Sequence, residues 1–314
     1  MLNRRILRIK AFKILYSCAQ NPGLSLKEAV SALDASCEAV REEYVYMLGL
    51  IPALTAEAAR RIEAARGKFR PTEEDLSPNL KFVQNGISAL LEKDPDYLRM
   101  AGKLKCTWEN NDVFLHKLYE RVKTQDYYRA YMDSGTSSLK EDAALWQDIF
   151  AAELEDDGDL AAILEDFSLH WADDLPYVLN CCIRSLEDLA RRGRWDCPPL
   201  YQSEVLKARG KDGVQSDRDF VHALLSAAYG RFDEYYKLVA GSVSQWDRDR
   251  LYVTDIVLIA LGLAEAETFP DIPARVSINE YVEIAKYYST PKSRTFVNGL
   301  LDKLIKERVN HKIV

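Results

Sequence analysis

Residues 271–304 read D-I-P-A-R-V-S-I-N-E-Y-V-E-I-A-K-Y-Y-S-T-P-K-S-R-T-F-V-N-G-L-L-D-K-L, and the spacing of their apolar residues sets the fold class. Ile278, Tyr281, Val282 and Ala285 recur at i, i+3, i+4 and i+7, the period that places them on one face of a helix. Ser277 stands three residues before Glu280, a spacing at which each side chain caps the other's backbone N–H and starts that helix. Thr290 and Pro291 suit the N-cap and first position of a second helix, where proline gives up no hydrogen bond. Val297, Leu300, Leu301 and Leu304 then repeat the apolar spacing. The stretch predicts two helices meeting at a tight corner that carries Lys292, Ser293 and Arg294.

The opposite end has the same character. In N-R-R-I-L-R-I-K-A-F-K-I-L-Y-S, residues 3–17, the residues Leu7, Ala11, Ile14 and Leu15, continued by Cys18, form an apolar helical stripe. Arg4 and Arg8 share an exposed face with Arg5 beside them, and Lys10 and Lys13 lie across the stripe. No Asp or Glu precedes Glu28, and from Lys286 onward seven Lys/Arg stand against two acids, although the whole chain carries a formal charge of -7. Basic ends around an acidic middle suit a localised polyanion site. Arginine fits RNA because its planar fork binds phosphate bidentately and stacks on unpaired bases; a solvated helix face is the competing reading. The corner also has two readings. A helix N-terminus with Lys292, Ser293 and Arg294 can hold a phosphate while Phe296 stacks on a base. Alternatively, Phe296 is core and Asn298 a capping or turn residue.

These two stretches carry a family resemblance. The run V-x-I-N-E-x-V-E-I-A-K followed by S-x-x-F-V-N-G-L-L-D-K closely resembles the C-terminal signature of the NusB transcription antitermination factors, and residues 3–17 resemble the family's arginine-rich first helix. The resemblance implies a non-catalytic factor that binds boxA, a short single-stranded RNA element, as a heterodimer with the NusE ribosomal protein on the RNA polymerase elongation complex. Carried over by position, it implicates Arg4, Arg5, Arg8, Tyr16, Ser293, Phe296 and Asn298 in RNA binding; Lys10, Lys292 and Arg294 join them on charge. Lys292 stands where relatives can carry an acid, and Ile6 replaces an arginine seen in some of them. The resemblance also puts the NusE contact on the helix around Asp255 and its neighbours. Asp255 borders the apolar run Ile256 to Ala264, and a buried charge there needs a partner. It therefore faces solvent, caps a neighbour or meets a partner chain. Ala260 and Ala264 replace an arginine and a tyrosine common in relatives.

The remainder predicts an all-α chain, a NusB-like helical bundle with additional inserted helices. Ser25 and Glu28 open a second helix, and a third pattern from Val40 to Arg66 must kink or break at Pro52. Prolines 71, 78 and 95 mark a loop-rich connection with a short helix near Phe82 to Leu91. Loops are expected at Ser134–Ser138 and from Arg191 to Ser216. Shifting the chain by 75 residues aligns Asp142 with Asp217, Trp171 with Trp246 and Asp174 with Asp249, together with many apolar positions, as an internal repeat does. Residues 1–66 and 201–314 are accordingly assigned to the NusB-like body, and residues 67–200 to a helical insertion containing the inner copy. Trp171 and Trp246 read as core anchors of that repeat.

Hydrophobic content of 47% with 29% charged residues is that of a globular chain, and the longest apolar run is too short for a bilayer. The six cysteines lack metal spacing and read as buried thiols of a cytoplasmic protein. The four histidines suggest no ligand cluster, so no metal or cofactor is expected. Some rRNA cytosine methyltransferases carry a NusB-like domain, but this chain has no Rossmann-type glycine motif or catalytic cysteine motif. A protein-binding helical scaffold without RNA recognition is the other alternative.

Overall fold

The computed structural model describes residues 1–171, 173–211, 213–243 and 251–310; Trp246, Asp249, His311 and Lys312 lie outside these. The described residues are helical apart from loops and one isolated parallel bridge, Leu2 with Tyr201. The chain divides into two compact units. One joins Met1–Cys37 to Pro199–Val314, and the other is Glu38–Pro198.

The first unit begins with α1 (Arg4–Gln20), whose N-cap Asn3 accepts a hydrogen bond from the Ile6 N–H at 3.1 Å. The expected stripe Leu7, Ala11, Ile14, Leu15, Cys18 is buried, but Arg8, Lys10 and Phe12 are buried too, so this helix hides more than one face. A backbone clamp places it: the Leu2 N–H donates to the Leu200 carbonyl at 2.6 Å and the Gln202 N–H to the Leu2 carbonyl at 3.0 Å. α2 (Leu26–Leu48) opens on the predicted Ser25–Glu28 box, with the Ser25 N–H donating to Glu28 at 2.9 Å and the Glu28 N–H to Ser25 at 3.3 Å. The division between units falls inside α2. α3 (Leu50–Arg66) follows after a break at Gly49, three residues before Pro52, and not at Val40.

α4 (Glu73–Leu76), α5 (Gly86–Leu91), α6 (Pro95–Ala101), α7 (Asp112–Lys123), α8 (Asp126–Asp133), α9 (Leu139–Ala152), α10 (Gly158–Phe167) and α11 (Leu175–Arg192) complete the second unit. Its centre is α9 against α11, with Trp146 fully buried and the Gln147 side-chain amide donating to the Ile183 carbonyl at 2.9 Å. Trp195 donates its indole N–H to the Tyr44 hydroxyl at 3.1 Å, tying the end of this unit to its beginning.

The first unit resumes with α12 (Gln202–Ala208), α13 (Asp217–Gly230) and α14 (Phe232–Ser242). The paired aspartates of the 75-residue offset do the same thing in each unit. Asp142 accepts the Gly86 N–H at the start of α5, at 2.8 Å, and Asp217 accepts the Ser203 N–H at the start of α12, at 2.7 Å. Both are buried and both satisfy an N–H that the first turn of a helix leaves without a partner.

α15 (Val253–Thr268) is the hub of the first unit, packing against α1, α13 and α14 and against α16 (Ala274–Tyr288) and α17 (Ser293–Asn310). Every residue from Asp255 to Glu265 is buried. The last two helices differ from expectation at their starts. α16 begins at Ala274, so Ser277 is no cap; it is buried and donates to Glu265 at 2.7 Å. α17 begins at Ser293, leaving Thr290 and Pro291 in the turn. Val297, Leu300, Leu301 and Leu304 are buried as predicted, each contributing about 1.5–3 kcal/mol of transfer free energy.

The six cysteines are free; Cys18, Cys37 and Cys182 are buried and the other three half-buried, so the expectation of buried thiols holds for half of them. Among the described residues no helix is long and apolar enough to cross a membrane. Gly262 sets how closely α15 meets its neighbours, because a Cβ there would lie 2.7 Å from Leu301 Cδ2 and 3.2 Å from the Tyr281 ring. Gly262→Ala is expected to cost about 1–3 kcal/mol through overpacking, read as a lower urea midpoint.

Candidate nucleic-acid interface

Three arginines project from α1, and each meets an acid within the same unit. Arg8 donates from Nε and Nη2 to the two carboxylate oxygens of Glu265, both at 2.7 Å. Ser277 and Tyr281 donate hydroxyls to the same carboxylate at 2.7 and 2.9 Å, so Glu265 accepts four hydrogen bonds with no exposure to water. Burial opposes the Arg8 charge, but the bonds to Glu265 and the fields of nearby acids outweigh it and raise its pKa. The expected exposed face shared by Arg4 and Arg8 therefore does not form: Arg8 is turned inward because α15 supplies an acid at that point.

Arg5 is about half exposed and forks onto Glu280 of α16, Nε at 2.9 Å and Nη2 at 2.7 Å. That bond holds the Glu280 carboxyl below its ordinary pKa, against the opposing effect of burial. Arg4 donates to Asp217 at 3.2 Å and to Gln215 at 3.0 Å, and its guanidinium lies 4.7 Å from the centre of the Phe220 ring. Lys10 is buried. Toward the end of α1, Phe12 packs its ring 5.4 Å from that of Tyr288, and the Lys13 ammonium stands 5.6 Å from the same tyrosine. Tyr16 is half-buried one turn on, its ring 6.3 Å from Phe12.

Tyr288 ends α16 at the corner, so the first helix and the terminal pair lie side by side. The corner is held from beneath by Asp255. Its carboxylate accepts the Ser289 hydroxyl at 2.6 Å and the Ser293 hydroxyl at 2.8 Å. With the Ser293 proton so engaged, Thr290 donates to Ser293 across 2.9 Å. Burial raises the Asp255 pKa, and the two serine bonds oppose the rise. The solvent-facing reading of Asp255 does not hold, since the side chain is buried and bonded to Ser289 and Ser293, as a residue that caps a neighbour would be.

Ser293 is likewise buried, whereas Lys292, Arg294 and Asn298 are exposed. Phe296 is half-exposed and, with Tyr252, Thr290 and Lys292, lines a groove of about 740 Å³. Tyr287, in the last turn of α16, is 82% exposed. Among the described residues no group of three or more His, Cys, Asp or Glu is disposed to hold a metal ion.

Residues 200–306 match the family model described as the NusB family. The transcription antitermination protein NusB of Methylacidiphilum infernorum is 37% identical over 119 residues, an alignment spanning 34% of this chain and 83% of that protein. This chain belongs to the NusB family. The NusB of Clostridium botulinum strain Kyoto is 38% identical over 105 residues, covering 32% of this chain and 73% of the relative. That of Thermodesulfovibrio yellowstonii is 34% identical over 115 residues, covering 36% and 76%. No solved structure matches. The matched region of the family model lies wholly within the first unit, which contains the arginine helix and the corner.

Sequence reasoning did not see that Glu265, Glu280 and Asp217 organise these arginines: it read Glu280 as a cap and Asp217 as a repeat position. Glu265 carried a usable signal, since like Asp255 it abuts the most apolar run of the chain. Replacing Arg8 with alanine orphans a buried carboxylate and is expected to cost about 3–5 kcal/mol. Arg5→Ala, half in water, should cost less than about 1 kcal/mol. Urea unfolding of the two variants, followed by circular dichroism, measures the contrast.

Proposed function

We propose that this chain is a transcription antitermination factor that binds boxA-like single-stranded RNA together with the NusE ribosomal protein on the elongating polymerase. The supporting observation is the contact between α1 and the corner, Phe12 and Lys13 on Tyr288, which gathers cations and aromatic rings from both chain ends along one surface. Membership in the NusB family supports the same reading. Direct contact falls to Arg4, Arg5, Tyr16, Lys292, Arg294, Phe296 and Asn298. Arg8, Lys10 and Ser293 are buried and act by holding these groups in place. The NusE contact falls to the neighbours of α15, since α15 is enclosed from Asp255 to Glu265. Glu38–Pro198 is then an insertion within the family body.

A scaffold without RNA recognition is favoured by one observation: Arg4, Arg5 and Arg8 already meet internal acids. The two readings separate in a titration of boxA RNA across salt concentrations. For a single strand, each phosphate contact contributes about -0.7 to the slope of log affinity against log salt. Lys292→Ala with Arg294→Ala should weaken binding and flatten the slope, and Glu280→Gln should strengthen binding by releasing Arg5. No measurable RNA affinity, or a slope unchanged in the double variant, rejects the interface.

A further inference from the structure

Glu38–Pro198 lies outside the family match, and one of its faces has the chemistry of a docking site. Between Lys140 and Arg184 the chain carries twelve Asp/Glu and no Lys or Arg. For the unit as a whole, 31 acids stand against 20 Lys/Arg, a net charge of -11, while the remainder of the chain carries +4.

At the start of α3 the open side is small and apolar, whereas Arg60, Arg61, Glu63 and Arg66 are exposed farther along. Gly49, Pro52, Ala53 and Ala56 recur at i, i+3, i+4 and i+7 and, with Leu104, floor an open groove of about 580 Å³. Those positions span about 10 Å of helix axis, two turns of a helix laid alongside. Trp108 and Tyr46 form one wall, their rings stacked 4.4 Å apart. The Trp108 indole already donates to the Tyr46 carbonyl at 2.9 Å, so the indole brings carbon to this wall and no unmet N–H. The aromatic cluster continues past the groove as buried rings, and exposed apolar side chains reappear only at its far end. The Phe167 and Trp171 rings lie 5.4 and 5.3 Å from Tyr46, Phe167 is 42% exposed, and Leu169 beside it is 85% exposed.

Acids rim this apolar strip. Exposed Glu109 stands at the mouth of the groove, where Asp112 is already paired with Arg60, and exposed Glu165 and Asp166 flank Phe167. Among the described residues the one cation lining the groove, Arg60, is neutralised by Asp112 and Glu57, each at 2.8 Å. An apolar floor within an anionic rim repels nucleic acid and selects a cationic, apolar-faced partner. We propose that this face docks a cationic amphipathic helix of a partner protein, with its apolar side chains in the groove and its Lys/Arg against the rim. The inference does not depend on the RNA reading of the first unit.

The probe is a fluorescein-labelled Leu/Lys peptide with leucines at i, i+3, i+4 and i+7, titrated with the full chain by fluorescence anisotropy. A scrambled peptide of the same composition and a Leu/Glu peptide are the controls, and each should bind at least about tenfold more weakly. Ala56→Trp, an exposed position whose larger side chain fills the groove, should weaken binding about tenfold or more. Glu165→Gln with Asp166→Asn should lower affinity and flatten its salt dependence. The two sets of substitutions act on separate parts of the face, so misfolding of one leaves the other decisive. Equal binding of the scrambled peptide, or unaltered binding by Ala56→Trp, overturns the proposal. So does concentration-dependent self-association of the unlabelled chain that Ala56→Trp abolishes, which assigns the face to a second copy.

Discussion

The Arg8–Glu265 pair is the interaction on which the NusB-family unit depends. Burying two opposite charges stabilises a fold only when nearly every donor and acceptor finds a partner. Here the two parallel Arg8 bonds and the Ser277 and Tyr281 hydroxyls supply four hydrogen bonds to one carboxylate. The pair joins three helices, since Arg8 comes from α1, Glu265 from α15 and the two hydroxyls from α16. Any rotation of α1 about its axis would expose the guanidinium and orphan the carboxylate, so the facing of the whole first helix follows from it. Arg5 is thereby pointed at Glu280, and Lys13 at the ring of Tyr288.

Asp255 plays the corresponding part at the other end of α15. Its carboxylate joins the last residue before the corner to the first residue after it, through Ser289 and Ser293. A turn of this kind, carrying two exposed cations, would otherwise be free to splay. Two buried acids on one apolar helix thus fix the two elements that bear the basic residues. The helix itself, enclosed for most of its length, has little surface left for a partner.

The cation-bearing helix is less free than its composition suggests. Charge counting registers Arg4, Arg5 and Arg8 as a basic cluster, but each is matched by an acid distant in sequence. RNA phosphate would have to compete with Glu280 for Arg5, whereas Lys292 and Arg294 stand exposed at the corner. The net charge of the chain is divided in the same uneven way, with the acidic excess confined to Glu38–Pro198.

Local periodicity determined a great deal by itself: the all-α class, the Ser25–Glu28 cap and the apolar stripes of α1, α16 and α17. These are properties of residues three or four positions apart, and short-range geometry decides them. The helix starts at Ala274 and Ser293 were not legible, because Ser277 has good capping chemistry that a tertiary contact draws to Glu265, while Thr290 spends its hydroxyl on the neighbouring Ser293 side chain. The fate of each arginine could not be read locally at all. Whether a guanidinium on α1 faces water or a carboxylate depends on residues more than two hundred positions away, and only the packing of α13, α15 and α16 around α1 decides it. Sequence set which residues are charged; tertiary structure set which charges remain available, because desolvation is a property of the assembled core and not of the chain.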